Sequence, residues 1–218
     1  MSAAALLASA RRIAPLAWPV FIGQLAVLVF STTDTLLIAR YSVLDLAALA
    51  VGSAAYITVF LGGMGVVLAV GPIAGQLFGA RRLDEAGRQL HQAVWLALGL
   101  SLLGCTLLVF PQPFIALSRA DPEVAQRLRG HLLALAFALP AGLLFAAFRG
   151  FNNAVSRPKA VAVLQLGALV LKVPLSALLV YGVSLTTPLG LLVVPSMGAP
   201  GCGIATEVVM NLQVLAAW

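Results

Sequence analysis

Residues 46–77 read LAALAVGSAAYITVFLGGMGVVLAVGPIAGQL, without a single Asp, Glu, Lys or Arg. An uncharged apolar run of about 18 residues or more reads as a helix that crosses a bilayer. This run is long enough to cross with tilt. Its glycines (Gly52, Gly62, Gly63, Gly65, Gly71 and Gly75) suit close helix packing in lipid, where small residues let backbones approach. A soluble domain with very apolar core helices is the other way to use such a run. That reading requires a charged stripe along the helices, and none accompanies them.

Working outward, comparable runs recur at 13–38, 93–110, 132–148, 160–183 and from 202 to the end at 218. With 46–77 they predict six spans and an all-α, polytopic transmembrane bundle. The whole composition agrees: the chain is 61% hydrophobic and 9% charged, with a mean hydropathy of +1.05. The net charge of +6 would point to nucleic acid in a soluble protein. Here the basic residues sit in short loops, where they set orientation, so no nucleic-acid partner is expected. Cys105 and Cys202 lie in or beside apolar runs without CxxC spacing, which reads as small apolar filler. Residues 1–10 lack a basic residue ahead of their apolar part, so they do not read as a cleavable signal peptide. The chain stops at Trp218 within the sixth run with no polar tail, which reads as a fragment or a truncated protein.

Orientation follows from the loops. Arg11, Arg12, Arg81, Arg82, Arg88, Arg149, Arg157 and Lys159 fall on one side, and Arg40, Arg119, Arg127 and Arg129 on the other. The richer side faces the cytoplasm, so the N-terminus is expected there. In the third loop, Asp121-Pro122-Glu123 predicts a helix start: an N-cap, a proline at the first helical position and an acid in the first turn. The fifth loop, 184–201, carries Pro188, Pro195 and Pro200 and is expected to be irregular, lying against the membrane surface.

Three ionisable residues fall inside apolar runs: Asp34, Lys172 and Glu207. A charge at mid-bilayer costs on the order of 3 kcal/mol even on lenient insertion scales, so such residues face a cavity or a partner. Gln24, Ser31 and Thr35 share one helical face, with Asp34 one step away. The alternative for Asp34 is a carboxylate that reaches the outer interface or caps a helix end. Gln165, Lys172 and Ser176 share a face of the fifth run. A buried lysine needs an acid or must lose its proton, and Asp34 is the candidate partner. The alternative is a lysine facing a water-filled cavity. Glu207, near the outer end of the sixth run, is either interfacial or cavity-lining. No P-loop, no HExxH and no intramembrane Ser/His pair appears, so the chain does not read as an enzyme or an ATP-driven pump.

These motifs together resemble the N-terminal lobe of a multidrug and toxic compound extrusion (MATE) transporter of the bacterial NorM-like type. The resemblance rests on Pro19, Gln24 and Asp34-Thr35, then Leu46-Ala47-Ala48-Leu49-Ala50, and most specifically on Gly71-Pro72-Ile73-Ala74-Gly75-Gln76-Leu77-Phe78-Gly79-Ala80. Arg88-Gln89-Leu90-His91-Gln92, Asp121-Pro122-Glu123-Val124, Arg149-Gly150-Phe151 with Arg157-Pro158, Val180-Tyr181-Gly182 and Gly201-Cys202-Gly203-Ile204-Ala205-Thr206 follow in order, covering essentially the whole chain.

The resemblance implies two six-helix lobes, of which this chain is the first, with the C-terminal lobe as its partner. It also implies export of small organic cations or amphipathic drugs across the bacterial inner membrane. Export would be by antiport with protons or sodium and with no other cofactor. It maps coupling onto Asp34, onto the Lys172 and Ser176 positions, and onto Thr206. Gln24, Ser31, Gln165 and Glu207 become candidate cavity residues. Sodium would sit at Asp34 and Thr206. The sequence departs from the family at Lys172-Val173-Pro174-Leu175-Ser176, where asparagine or aspartate pairs are usual. An ammonium there repels a bound sodium, so a Lys172–Asp34 pair broken by a proton is the expectation. Other readings are a lipid-linked oligosaccharide flippase of the same superfamily, or a membrane scaffold or intramembrane enzyme. A flippase would line its cavity with several basic residues. A scaffold or enzyme would not need the acid and the lysine to meet.

Overall fold

The run quoted above does not form one uninterrupted helix. In the computed structural model, which describes residues 3–187 and 190–218, it divides into α2 (Val43–Val67) and α3 (Val70–Gly79). The step falls at Leu68 and Ala69, which keep right-handed dihedrals but bond back only three or four residues, as in the tightened last turn of a helix. The other expected runs are helices as well: α1 (Ala3–Tyr41), α4 (Leu83–Val109), α6 (Pro122–Ala154), α7 (Pro158–Tyr181) and α8 (Ala199–Ala217). They extend beyond their apolar runs because polar first turns continue them. In α4, Asp84 and Glu85 lie in the first turn, where carboxylates favour the helix N-terminus. Proline follows the N-cap of α6 as the sequence predicts, although the Asp121 side chain makes no capping bond, and Pro158 opens α7 in the same way.

The connections hold more structure than the sequence suggested. The third loop contains a short helix, α5 (Gln112–Ser118). The fifth loop, expected to be irregular throughout, contains two strands: β1 (Val183–Thr187) and β2 (Gly190–Val194) pair antiparallel, Val183 opposite Val194 and Thr187 opposite Gly190, while 195–198 are irregular. Five stretches among the described residues are by themselves long and apolar enough to cross a membrane; α8, the sixth expected run, carries Glu207, Asn211 and Gln213 and packs along α6 and α7.

The centre of the bundle is α6. Of its most apolar window, 67% is buried, against 17% to 28% for the other four stretches. Alanines such as Ala138, Ala141 and Ala147 let α2, α4 and α8 close on it. A Cβ on Gly104 would stand 2.4 Å from a methyl of Leu139, so α4 meets α6 only through glycine there. The outward faces are apolar and exposed, as at Leu28, Trp95, Leu102 and Val170. A helical surface of that kind belongs in lipid, and the chain is a multi-pass membrane protein.

Candidate functional site

Helices α1 and α7 lie side by side in the same direction. Gly23 makes room for the Gln165 side chain, and Tyr181 donates its hydroxyl to the carbonyl of Leu37 at 2.9 Å. Between these two ties, Asp34 and Lys172 meet: Lys172 Nζ is 3.0 Å from Asp34 Oδ2. The lysine side chain is fully buried and the aspartate 14% exposed.

An ammonium has three donors, and Lys172 finds three oxygen partners. They are Asp34, the carbonyl of Cys202 at 3.1 Å, and the hydroxyl of Thr206. Thr206 in turn donates to Cys202 O at 2.9 Å, which leaves its lone pairs for the lysine. The ring of Phe30 lies 4.7 Å below the ammonium, a cation–π contact. The second oxygen of Asp34 accepts from Ser176 Oγ at 3.1 Å and faces Cys202 Sγ at 3.5 Å. Pro174 stands between Lys172 and Ser176 and offers no N–H to the preceding turn. The site therefore joins α1, α7 and α8 through a fully partnered buried ion pair.

The structure brings together Asp34, Lys172, Ser176 and Thr206. It does not bring Ser31 or Thr35 to them. Both are exposed, and the Thr35 hydroxyl bonds the carbonyl of Ser31 on its own helix. The inward face of α1 is instead Gly23, Ala26, Phe30, Asp34 and Ile38, an apolar stripe with one acid in it. Gln24 and Gln165 line a crevice nearer the start of α7. Glu207 is half-buried, and among the described residues its side chain forms no ion pair.

A second polar knot escaped the sequence reading. Asp45, 3% exposed, pairs with Arg127 of α6 and accepts the backbone N–H of Ala199, at the start of α8, at 3.0 Å. Arg127 also reaches Ser42 Oγ at 3.1 Å, and His131 Nδ1 lies 2.9 Å from Ala199 O. Gly198 admits the carboxylate: its φ is +57°, and a Cβ there would strike Asp45 Oδ1. The available signal was Ser42-x-x-Asp45, a capping-box spacing at the start of a helix.

Beside the ion pair lies a cavity of about 130 Å³ with Phe30, Phe60 and Phe145 in its walls and the polar groups of Gln165, Gln213 and Arg149 at its margins. Drug-sized sites enclose roughly 300–1,000 Å³, and this cavity is smaller.

The MatE family model matches residues 19–178. A probable multidrug resistance protein NorM of Aromatoleum aromaticum is 44% identical over 88% of this chain and 40% of its own length. The multidrug resistance protein PmpM of Pseudomonas aeruginosa is 34% identical over 95% of the chain and 42% of its own. The chain thus spans less than half the length of these relatives. A crystal structure of the Vibrio cholerae MATE transporter VcmN in a bent form superposes with a TM-score of 0.81 at 19% identity, covering 95% of this chain and 45% of that one. That likeness shows the shared fold. On the family match and the identities together, the chain belongs to the MatE (multidrug and toxic compound extrusion) family.

Proposed function

We propose that the chain forms one lobe of a secondary antiporter that exports cationic or amphipathic organic compounds across a bacterial inner membrane, its N-terminus cytoplasmic. Its coupling element is the Asp34–Lys172 pair, and the coupling ion is the proton rather than sodium. The name shared by the relatives, multidrug resistance protein, supports the substrate class. The carrying observation is the position of Lys172 Nζ among Asp34 Oδ2, Cys202 O and Thr206 Oγ1. Sodium needs several oxygens of this kind, and here a tethered cation already holds them. A proton on Asp34 removes the charge that holds Lys172. An organic cation competes for the same carboxylate, with the phenylalanine walls covering its apolar body.

Binding of ethidium to the purified chain in detergent micelles, followed by fluorescence anisotropy, tests this. Affinity is expected to rise with pH, to be indifferent to exchange of sodium for potassium at constant ionic strength, and to lose its pH dependence in Asp34→Asn. Lys172→Asn is expected to make ethidium binding sensitive to sodium. Sodium-specific competition without pH dependence in the native chain would sink the proton reading.

A further inference from the structure

We propose that Arg149 docks the anionic head, a carboxylate or a phosphate, of an amphipathic molecule whose apolar body occupies the phenylalanine-lined cavity. The inference rests on the export reading, on its amphipathic rather than its cationic substrates, and gives those an anionic head. Arg149 stands near the C-terminal end of α6, just beyond the apolar run 132–148, and is half-buried. A guanidinium carries five N–H donors in a planar fork.

Within the chain Arg149 has no acidic partner. All seven acidic side chains belong to the described residues, and no one of them pairs with Arg149. Its side-chain partner is Met64 Sδ at 3.2 Å, a weak acceptor, and its other N–H groups are accessible from the adjoining spaces rather than buried.

The surroundings fit an anion. Arg149 lines both the aromatic cavity and a second crevice of about 190 Å³ bordered by Gln24, Asn153 and Gln165. No acid lines either space. The crevice also borders Pro158 and Val161, in the first turn of α7, where the helix end contributes partial positive charge. Amide donors, a helix N-terminus and a planar fork suited to bidentate contact therefore converge on one place. The apolar walls begin directly beside it, at Phe145 and Ala146.

The same chemistry is carried by an exported organic acid and by a membrane phospholipid, and the test separates them. Calorimetry on the purified chain in dodecyl maltoside, which has no phosphate or carboxylate, compares pyrenebutyrate with its methyl ester. The acid is expected to bind at least tenfold more tightly. Arg149→Gln is expected to abolish that preference and Arg149→Lys to keep part of it, each checked by monodisperse elution and unchanged helical circular dichroism. If Arg149→Gln fails to fold, the lysine variant and the acid-to-ester ratio of the native chain still decide.

Competition by dihexanoyl phosphatidylglycerol supports a lipid phosphate at the site. Binding of pyrenebutyrate alone supports a solute. Inorganic phosphate, lacking an apolar body, is expected to compete only weakly. Equal binding of acid and ester, or an unchanged preference in Arg149→Gln, overturns the proposal. Ethidium binding that depends on Asp34 is read in separate titrations. An anion site that fails while this dependence persists leaves the export reading standing, and the reverse outcome removes only the latter.

Discussion

Lys172→Met takes away the ammonium while keeping most of the side chain's length and volume, so the loss is chiefly electrostatic. The site gives the size of the effect. Asp34 would keep the Ser176 hydroxyl and the Cys202 thiol as its near neighbours, inside a pocket where its own side chain is 14% exposed. Breaking one partner out of a buried ion pair costs about 3–5 kcal/mol, whereas removing both together is often close to neutral. The residual exposure of Asp34 places Lys172→Met toward the lower end of that range. Asp34→Asn leaves a fully buried ammonium with neutral oxygen partners and no counter-charge and costs at least as much. The double variant is expected to recover most of the loss, giving a coupling energy of about 3 kcal/mol in a double-mutant cycle. Unfolding in mixed micelles of dodecyl maltoside and sodium dodecyl sulfate, followed by far-ultraviolet circular dichroism, measures all four proteins. Additive losses, with a coupling energy under about 0.5 kcal/mol, would show that the two charges do not hold one another, and the coupling argument would fail with them.

The second knot makes a similar demand. Asp45→Asn leaves Arg127 without its acid and is expected to destabilise the chain by about 3 kcal/mol in the same unfolding assay, with early protease cleavage at the start of α8. Gly201→Ala is expected to cost about 1–3 kcal/mol, because a Cβ there would stand 2.7 Å from the backbone oxygen of Leu179, which cannot step aside. A stability within error of the native chain would mean that α7 and α8 are further apart than described. Orientation is open to direct chemistry: a cysteine at Arg157 is expected to react with a membrane-impermeant maleimide only from the cytoplasmic face, and one at Glu123 only from outside. The opposite pattern would invert the loop-charge reading.

The helices were legible because lipid imposes a simple rule on each apolar run. The ion pair was legible because Asp34 and Lys172 are costly in apolar runs and each needs what the other has. The polar residues of α1 did not point to the ion pair: Gln24, Ser31 and Thr35 share a face that is exposed, and the Thr35 hydroxyl bonds the carbonyl of Ser31 on its own helix. The face that carries Asp34 to Lys172 is small and apolar, and periodicity of polar residues could not reveal it. Asp45 and Arg127 looked like ordinary interfacial charges because each sits at a helix end. Their pairing depends on how α2, α6 and α8 converge, which no local pattern encodes. The pairing of 183–187 with 190–194 was hidden by prolines and glycines that ordinarily signal irregular backbone.

The carboxylate of Asp45 has a mechanical meaning. It holds the first N–H of α8, and the same helix, less than two turns further on, presents Cys202 O and Thr206 Oγ1 to Lys172. Sliding α8 along its axis by one residue, about 1.5 Å, would pull Ala199 off its anchor and strip the lysine of two partners in the same movement. The two sets of contacts are therefore shared: what seats the start of α8 on Asp45 also sets the oxygens that surround Lys172.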